Sequence, residues 1–156
     1  GFSIETILMF VIAMILLAIT MIDFDTMIIP DGLNIAMFIV SIVLMYVRHM
    51  SLLESIMGMF CISVPMILLN VLIAESFGGG DIKLMFVSGI ALGWKYSLLA
   101  AFIGILIAGS YSIYLIATKK IDKKGHIAFG PYLSIGIFIA LSYGSEIISW
   151  YLNLMM

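Results

Sequence analysis

The sequence predicts an all-α membrane protein, a polytopic bundle of about six transmembrane helices. Of its 156 residues, 64% are hydrophobic and only 10% are charged, and the mean hydropathy is +1.28. These values lie far outside the range of a soluble domain. The length allows about six crossings of roughly 20 residues each and leaves no room for a soluble domain. Residues 1–156 are therefore expected to form one transmembrane domain.

Six apolar runs are the candidate spans. They cover residues 4–22, 33–47, 52–74, 82–93, 97–118 and 131–151. The second and fourth are short, and a span of about a dozen residues cannot cross a hydrocarbon core of about 30 Å alone. We therefore expect the fourth span to recruit polar residues at its ends.

Acids end the first span, and a proline precedes the second. Asp23 and Asp25 are two residues apart, so on a helix their side chains point about 200° away from each other and only one faces the bundle interior. Pro30 disfavours helix at Ile29, and Asp31 is well placed to be the N-cap of the second span.

Three glycines, Gly78 to Gly80, precede Asp81. Each would cost about 1 kcal/mol in a helix, so the chain is expected to break or turn there. The missing side chains leave room for another chain or for water. Asp81 is then either a cap of the fourth span or an acid placed for chemistry, and both interpretations remain open at this point.

If all six spans cross, the loops alternate sides, and both aspartate stretches share a side with the loop at 119–130. Lysines are concentrated on that side, which carries Lys83, Lys119, Lys120, Lys123 and Lys124, against Arg48 and Lys95 on the other. This bias places the aspartates in the cytoplasm and both ends of the chain outside. Aromatic residues suited to the outer interface are Trp94, Tyr96, Trp150 and Tyr151.

Two carboxylates a few ångströms apart share a proton, since both cannot be ionised cheaply. One then acts as an acid while the other takes a proton from water, which is the chemistry of an aspartic protease. No nucleophilic serine with a histidine base is evident, because His49 falls on the other side and His126 lies in the lysine-rich loop. No metal or other cofactor is expected, and no basic stripe suggests nucleic acid.

Three ordered signatures together resemble the type IV prepilin peptidases. They are Asp23 seven residues before Pro30 and Asp31, then Gly78 to Leu84 with its Gly-x-Gly-Asp, and later the run from Phe129 to Leu133. The resemblance covers essentially the whole chain. It implies a membrane aspartic endopeptidase of the bacterial inner membrane that removes a short basic leader from prepilins, pseudopilins or competence pilins, after a glycine, at the cytoplasmic face.

The resemblance also assigns residues. Asp23 and Asp81 match the catalytic pair, and Gly78 and Gly80 frame Asp81. Lys83 and Pro131 are further candidates for binding substrate or shaping the site. Asp25 and Asp31 also occur in the bacterial first signature, so the choice of Asp23 depends on its spacing from Pro30.

Many bacterial members also N-methylate their product using S-adenosylmethionine, an activity associated with an upstream segment that often carries paired cysteines. The chain begins with Gly1 and has one cysteine, Cys61, inside an apolar run. We therefore expect a protease core from a longer parent, without methylation by the chain as given.

Three other functions remain open. A presenilin-like intramembrane protease also uses Gly-x-Gly-Asp, but its Tyr-Asp and Pro-Ala-Leu motifs do not stand at the matching places. A proton-coupled transporter would need its buried acids for flux and would show no proteolysis. A scaffold subunit of a pilus or secretion machine would tolerate replacement of Asp23 or Asp81.

Overall fold

The computed structural model describes residues 3–73, 76–118 and 127–155. These residues form five α-helices and no strand: α1 (Ile4–Thr26), α2 (Asp31–Val47), α3 (Leu52–Leu72), α4 (Gly79–Ala117) and α5 (Gly130–Met155). All except the 17-residue α2 are long and apolar enough to cross a membrane. The predicted all-α membrane class is confirmed, and the protein is a multi-pass membrane protein.

The fourth and fifth predicted spans fall within α4, which has 39 residues. Gly93, with φ 67° and ψ 174°, interrupts the helix between them. In the first half of α4 (79–92), Phe86 contacts Phe60 of α3, and in the second half (94–117), Tyr111 contacts Tyr132 of α5. The predicted number of about six crossings stays a prediction.

The two halves of α4 run in opposite directions. Asp81 near its start and Tyr111 near its end both lie where α5 begins, at Gly130 and Tyr132. Tyr96, just after the interruption, lies beside Gly144 far along α5. The chain therefore folds back at Gly93, a conformation that glycine adopts without steric cost.

Glycines bring the helix backbones into close contact. A Cβ on Gly58 of α3 would lie 2.1 Å from the Gly89 carbonyl oxygen of α4. A Cβ on Gly136 of α5 would lie 2.2 Å from the Ala100 carbonyl oxygen. Close packing through small residues is a common means of holding helices together in lipid, where water provides no hydrophobic driving force.

One ion pair marks each end of the bundle. At one end, Arg48 donates to Glu5 over 2.7 Å and to the Leu141 carbonyl, which joins α2 to α1 and α5. At the other, Lys83 of α4 donates to Asp31 of α2 over 2.7 Å. We call them the arginine end and the aspartate end, because Asp23 and Asp81 lie at the latter.

Candidate active site

Asp23 lies in the last turn of α1 and is buried, with 4% of its surface exposed. Its carboxylate oxygen Oδ2 accepts a hydrogen bond from the Gly130 N–H over 3.1 Å. That N–H belongs to the first turn of α5, where backbone donors have no partner within the helix. The partial positive charge of a helix N-terminus also favours a carboxylate there. Asp23 therefore holds the start of α5 against the end of α1.

Gly130 leaves no space for a side chain. A Cβ at this position would lie 2.7 Å from Asp23 Oδ2 and 3.1 Å from the Ile29 side chain. Pro131 follows, with its side chain fully buried. A proline in the first turn of a helix breaks no helical hydrogen bond and favours the helical backbone angle, so Pro131 helps to start α5 beside Asp23.

Asp81 lies in the first turn of α4 and is 7% exposed. Gly78 is the N-cap of this helix. Asp81 lies three residues later, inside the first turn, so the interpretation of Asp81 as a cap is wrong. Gly79 and Gly80 are helical, and the break in the chain comes before them. Oδ1 of Asp81 is buried and has no hydrogen-bond partner among the described residues.

The three glycines before Asp81 differ in what surrounds them. A Cβ on Gly78 would lie 3.0 Å from Asp81 Oδ2, and one on Gly80 would lie 2.8 Å from Ile29 Cβ. A Cβ on Gly79 would meet nothing within 4 Å. Steric crowding therefore affects the two glycines that frame the Gly-x-Gly-Asp pattern and spares the middle one.

The carboxylates of Asp23 and Asp81 come together although they are far apart in the sequence. Both line a cavity of about 390 Å³ that also includes Gly78 to Gly80 and the link from Met27 to Asp31. Both also line a second cavity of about 680 Å³ with Asn70 and Phe77. The two side chains interact electrostatically. The structure therefore brings the two carboxyl groups that the sequence singled out into the same cavities.

The other acids of the first signature point elsewhere. Asp25 is exposed, as the 200° separation from Asp23 predicts. Asp31 is the first residue of α2, and Pro30 is its N-cap without a side-chain hydrogen bond, so the prediction that Asp31 caps the helix is wrong. The helix starts one residue earlier than a capping Asp31 allows, since Pro30 already has the extended backbone of a cap. Asp31 instead pairs with Lys83, which therefore contacts an exposed acid of another helix.

Some candidates fall outside the described part of the chain. They are His126 and the four lysines at 119, 120, 123 and 124. Within the described residues, no group of three or more His, Cys, Asp or Glu side chains could hold a metal ion.

The sequence analysis did not identify Asn70 of α3, whose side chain hydrogen-bonds to the backbone of Phe77 just before α4. Its amide accepts from the Phe77 N–H over 2.7 Å and donates to the Phe77 carbonyl over 2.8 Å. These bonds fix the residue just before Gly78. The sequence did carry a signal for this residue, since Asn70 is a single amide within an apolar run. A polar group without a partner is costly in a membrane segment, so such an amide is expected to have one.

A family model described as "Type IV leader peptidase family" matches residues 10–113, two thirds of the chain and a range that includes Asp23 and Asp81. The chain belongs to the type IV leader peptidase family. This confirms the resemblance that the three signatures indicated. The family match does not by itself assign a role to any residue.

Curated relatives in the type IV leader peptidase family agree with this membership. The protein from Aeromonas hydrophila is 30% identical over 89% of this chain and 50% of its own length, and that from Stutzerimonas stutzeri is 28% identical over 98% and 55%. The protein from Bacillus subtilis (strain 168) is 38% identical over 49% of this chain and 31% of its own length. All three are named "Prepilin leader peptidase/N-methyltransferase". The chain spans about half the length of the first two, and no solved structure matches it significantly.

Proposed function

We propose that this chain is the proteolytic core of a prepilin leader peptidase, a membrane aspartic endopeptidase whose catalytic pair is Asp23 and Asp81. The observation that carries the proposal is the burial of these two carboxyl groups, from helices distant in sequence, in one cavity at one end of the bundle. Asp25 and Asp31, the neighbouring acids, are exposed. Family membership supplies the reaction class.

The proposed mechanism uses the pair as acid and base. One carboxylate removes a proton from a water held between the two groups, and that water attacks the scissile carbonyl. The protonated partner donates a hydrogen bond to the developing oxyanion, and the pair then returns a proton to the leaving amine. The Gly130 N–H orients Asp23, while Oδ1 of Asp81 is buried and has no hydrogen-bond partner among the described residues that would hold it in one orientation.

The proposed substrate is a prepilin, pseudopilin or competence pilin with a short basic leader, cut after a glycine at the cytoplasmic face. Membership of the type IV leader peptidase family supports this class of substrate. The cytoplasmic face follows from the lysine bias of the same side of the chain.

Cleavage by the purified protein in lipid vesicles tests the catalytic pair. The substrate is a prepilin with a basic leader, a glycine and an apolar helix, and release of the leader is followed by mass spectrometry. Asp23→Asn and Asp81→Asn should each abolish cleavage, since the amide keeps the shape but cannot exchange the proton. Asp25→Asn is the matched control and should retain activity.

Two results would contradict this assignment. One is cleavage by either Asp23→Asn or Asp81→Asn at the rate of the parent protein. The other is complete loss in Asp25→Asn with Asp23→Asn still active. Circular dichroism of each variant must show the same helix content, so that a loss of cleavage is not a loss of fold.

A further inference from the structure

We propose that the groove between α2, α3 and the first half of α4 is where the apolar helix of the substrate docks from the membrane, with Asn34 as the residue that positions it. The proposal rests on the proposed function, because it names where the substrate's own helix lies. It concerns residues outside the catalytic pair.

The groove lies between α2 and α3, which share α4 as a neighbour. Both α2 and α3 pack on α4 and make almost no contact with each other. Between them lies a cavity of about 470 Å³ with an almost wholly apolar lining, in which Phe38, Phe60 and Phe86 contribute one ring from each helix. Lining residues on both helices are exposed on the outside of the bundle, among them Ile35 of α2 and Val64 of α3, so a helix in the bilayer can reach the groove without passing through water.

The groove is continuous with the candidate active site. Asp31 and Lys83 line the groove and also line the cavity that contains Asp23 and Asp81. A helix lying in the groove therefore presents its end, at the Asp31 and Lys83 pair, to the two carboxylates. The proposed substrate has an apolar helix that is cut just before its first turn. Such a helix fits the apolar lining of the groove, and its cleavage point then lies near the two carboxylates.

Asn34 distinguishes the groove from an ordinary lipid-facing surface. It lines the groove, is 4% exposed, and neither atom of its amide has a hydrogen-bond partner among the described residues. A buried amide without partners costs about 1–3 kcal/mol, so such groups in native proteins usually have a partner that the isolated chain does not supply. Acyl chains of lipid cannot supply one, whereas a polar side chain on a docked helix can.

The position of Asn34 along α2 determines where on the substrate helix its polar partner must lie. Asn34 is three residues after Asp31 on α2, which places it about 4.5 Å deeper at a rise of 1.5 Å per residue. A substrate helix with its first residue at the aspartate end reaches this depth within its first turn or two. We infer that the protein favours substrates with one hydrogen-bonding side chain in that part of an otherwise apolar helix.

Photo-crosslinking tests the docking site. A benzophenone amino acid is placed at Val64 of α3 or Ile35 of α2, both in the groove, in the uncleaving Asp81→Asn background, and the vesicles contain the prepilin. The matched control is the same group at Leu17, which is 64% exposed on α1 and lines neither the groove nor the site cavities. We expect crosslinks to the substrate helix from both groove positions and background levels from Leu17.

Absence of crosslinks from both groove positions, or equal crosslinking from Leu17, would overturn the docking site and leave the groove to lipid. Cleavage of the same prepilin by the protein with Asp81 intact is measured in parallel. If cleavage proceeds without groove crosslinks, the docking site is wrong and the proposed function stands. If no cleavage occurs, the proposed function itself fails.

Asn34→Leu tests the positioning role. Because the amide has no partner in the fold, its removal should leave the thermal midpoint unchanged or higher. Substrates carry either an all-leucine helix or a single glutamine at successive positions of the first two turns. The parent protein should show a KM lower by about fivefold to tenfold for one glutamine position, the worth of about one hydrogen bond.

The Asn34→Leu variant should lose this preference, so that its KM values for the glutamine-containing and the all-leucine substrates become equal. An unchanged preference in Asn34→Leu would overturn the positioning role, as would no preference at any position in the parent. A purely structural role for Asn34 would change stability and would not change the ranking of the substrates.

Discussion

At the scale of single residues, side-chain direction and the room around the backbone distinguish chemically identical residues near the two aspartates. Asp23 and Asp25 have the same chemistry, yet the turn of the helix buries one and exposes the other. Gly80 and Gly79 also have the same chemistry, yet only Gly80 lies against Ile29. The close approach at Gly80 brings the first turn of α4 against the link between α1 and α2, and so brings Asp81 to Asp23.

Gly80→Ala should reduce cleavage strongly and destabilise the protein. Its Cβ would lie 2.8 Å from Ile29 Cβ, and overpacking of this kind costs about 1–3 kcal/mol. The measurement is the cleavage rate together with thermal unfolding in detergent. Ile29→Ala in the same chain should partly restore both quantities, since it removes the atoms that the new methyl group meets.

Gly79→Ala is the matched control, because its Cβ would meet nothing within 4 Å. Alanine is a better helix former than glycine by up to about 1 kcal/mol, so stability should be unchanged or slightly higher. Equal loss of activity in Gly79→Ala and Gly80→Ala would refute the steric explanation.

At the scale of helices, α4 depends on glycines for its reversal and its packing. Gly93 has a positive φ at which the chain folds back, and Gly89 lies against the backbone of Gly58 in α3. The reversal returns the second half of α4 along α5. The close contact holds the first half against α3, while α2 packs on the same helix and makes almost no contact with α3, which leaves the groove between them.

Gly58→Ala should lower the thermal midpoint and weaken cleavage. A Cβ at Gly58 would lie 2.1 Å from a backbone oxygen, which cannot rotate away as a side chain can, so the two helices must separate. The comparison is Gly109→Ala in the second half of α4, where a Cβ would meet nothing within 4 Å. A midpoint for Gly58→Ala equal to that of Gly109→Ala would contradict the proposed role of this contact.

At the scale of the whole molecule, the two ends of the bundle differ in chemistry. The aspartate end combines Asp23, Asp81 and the pair of Asp31 with Lys83, whereas the arginine end has the pair of Arg48 with Glu5. Between them the helices present apolar side chains outward, as expected of a bundle in lipid. Because both carboxylates of the proposed catalytic pair lie at the aspartate end, the proposed cleavage takes place there.

Thiol labelling should place the two ends on opposite sides of the membrane. Asp25→Cys and His49→Cys, each in a Cys61→Ala background, put one exposed thiol at the aspartate end and one near Arg48. From the lysine bias, a membrane-impermeant maleimide should label His49→Cys in intact spheroplasts and Asp25→Cys only after permeabilisation. The reverse pattern would show that the aspartate end faces outward.

The sequence by itself determined the all-α membrane class, the positions of the apolar segments and the family, because composition and short ordered motifs are local properties of the chain. Helical periodicity also predicted that Asp23 and Asp25 point in different directions, whereas the choice of Asp23 came from the resemblance and its spacing from Pro30. The predicted cap at Asp31 was wrong, as was the capping interpretation of Asp81 that the sequence left open, because the true caps, Pro30 and Gly78, have extended backbones that side-chain preference does not reveal.

Only the tertiary structure decided the rest. The hydrogen bond from Gly130 to Asp23, the approach of Gly80 to Ile29 and the orphan amide of Asn34 join residues far apart in the chain. The groove likewise exists only because α2 and α3 both pack on one helix and make almost no contact with each other. Such contacts depend on how helices dock in three dimensions, and the periodicity of one helix carries no information about the neighbour it will meet.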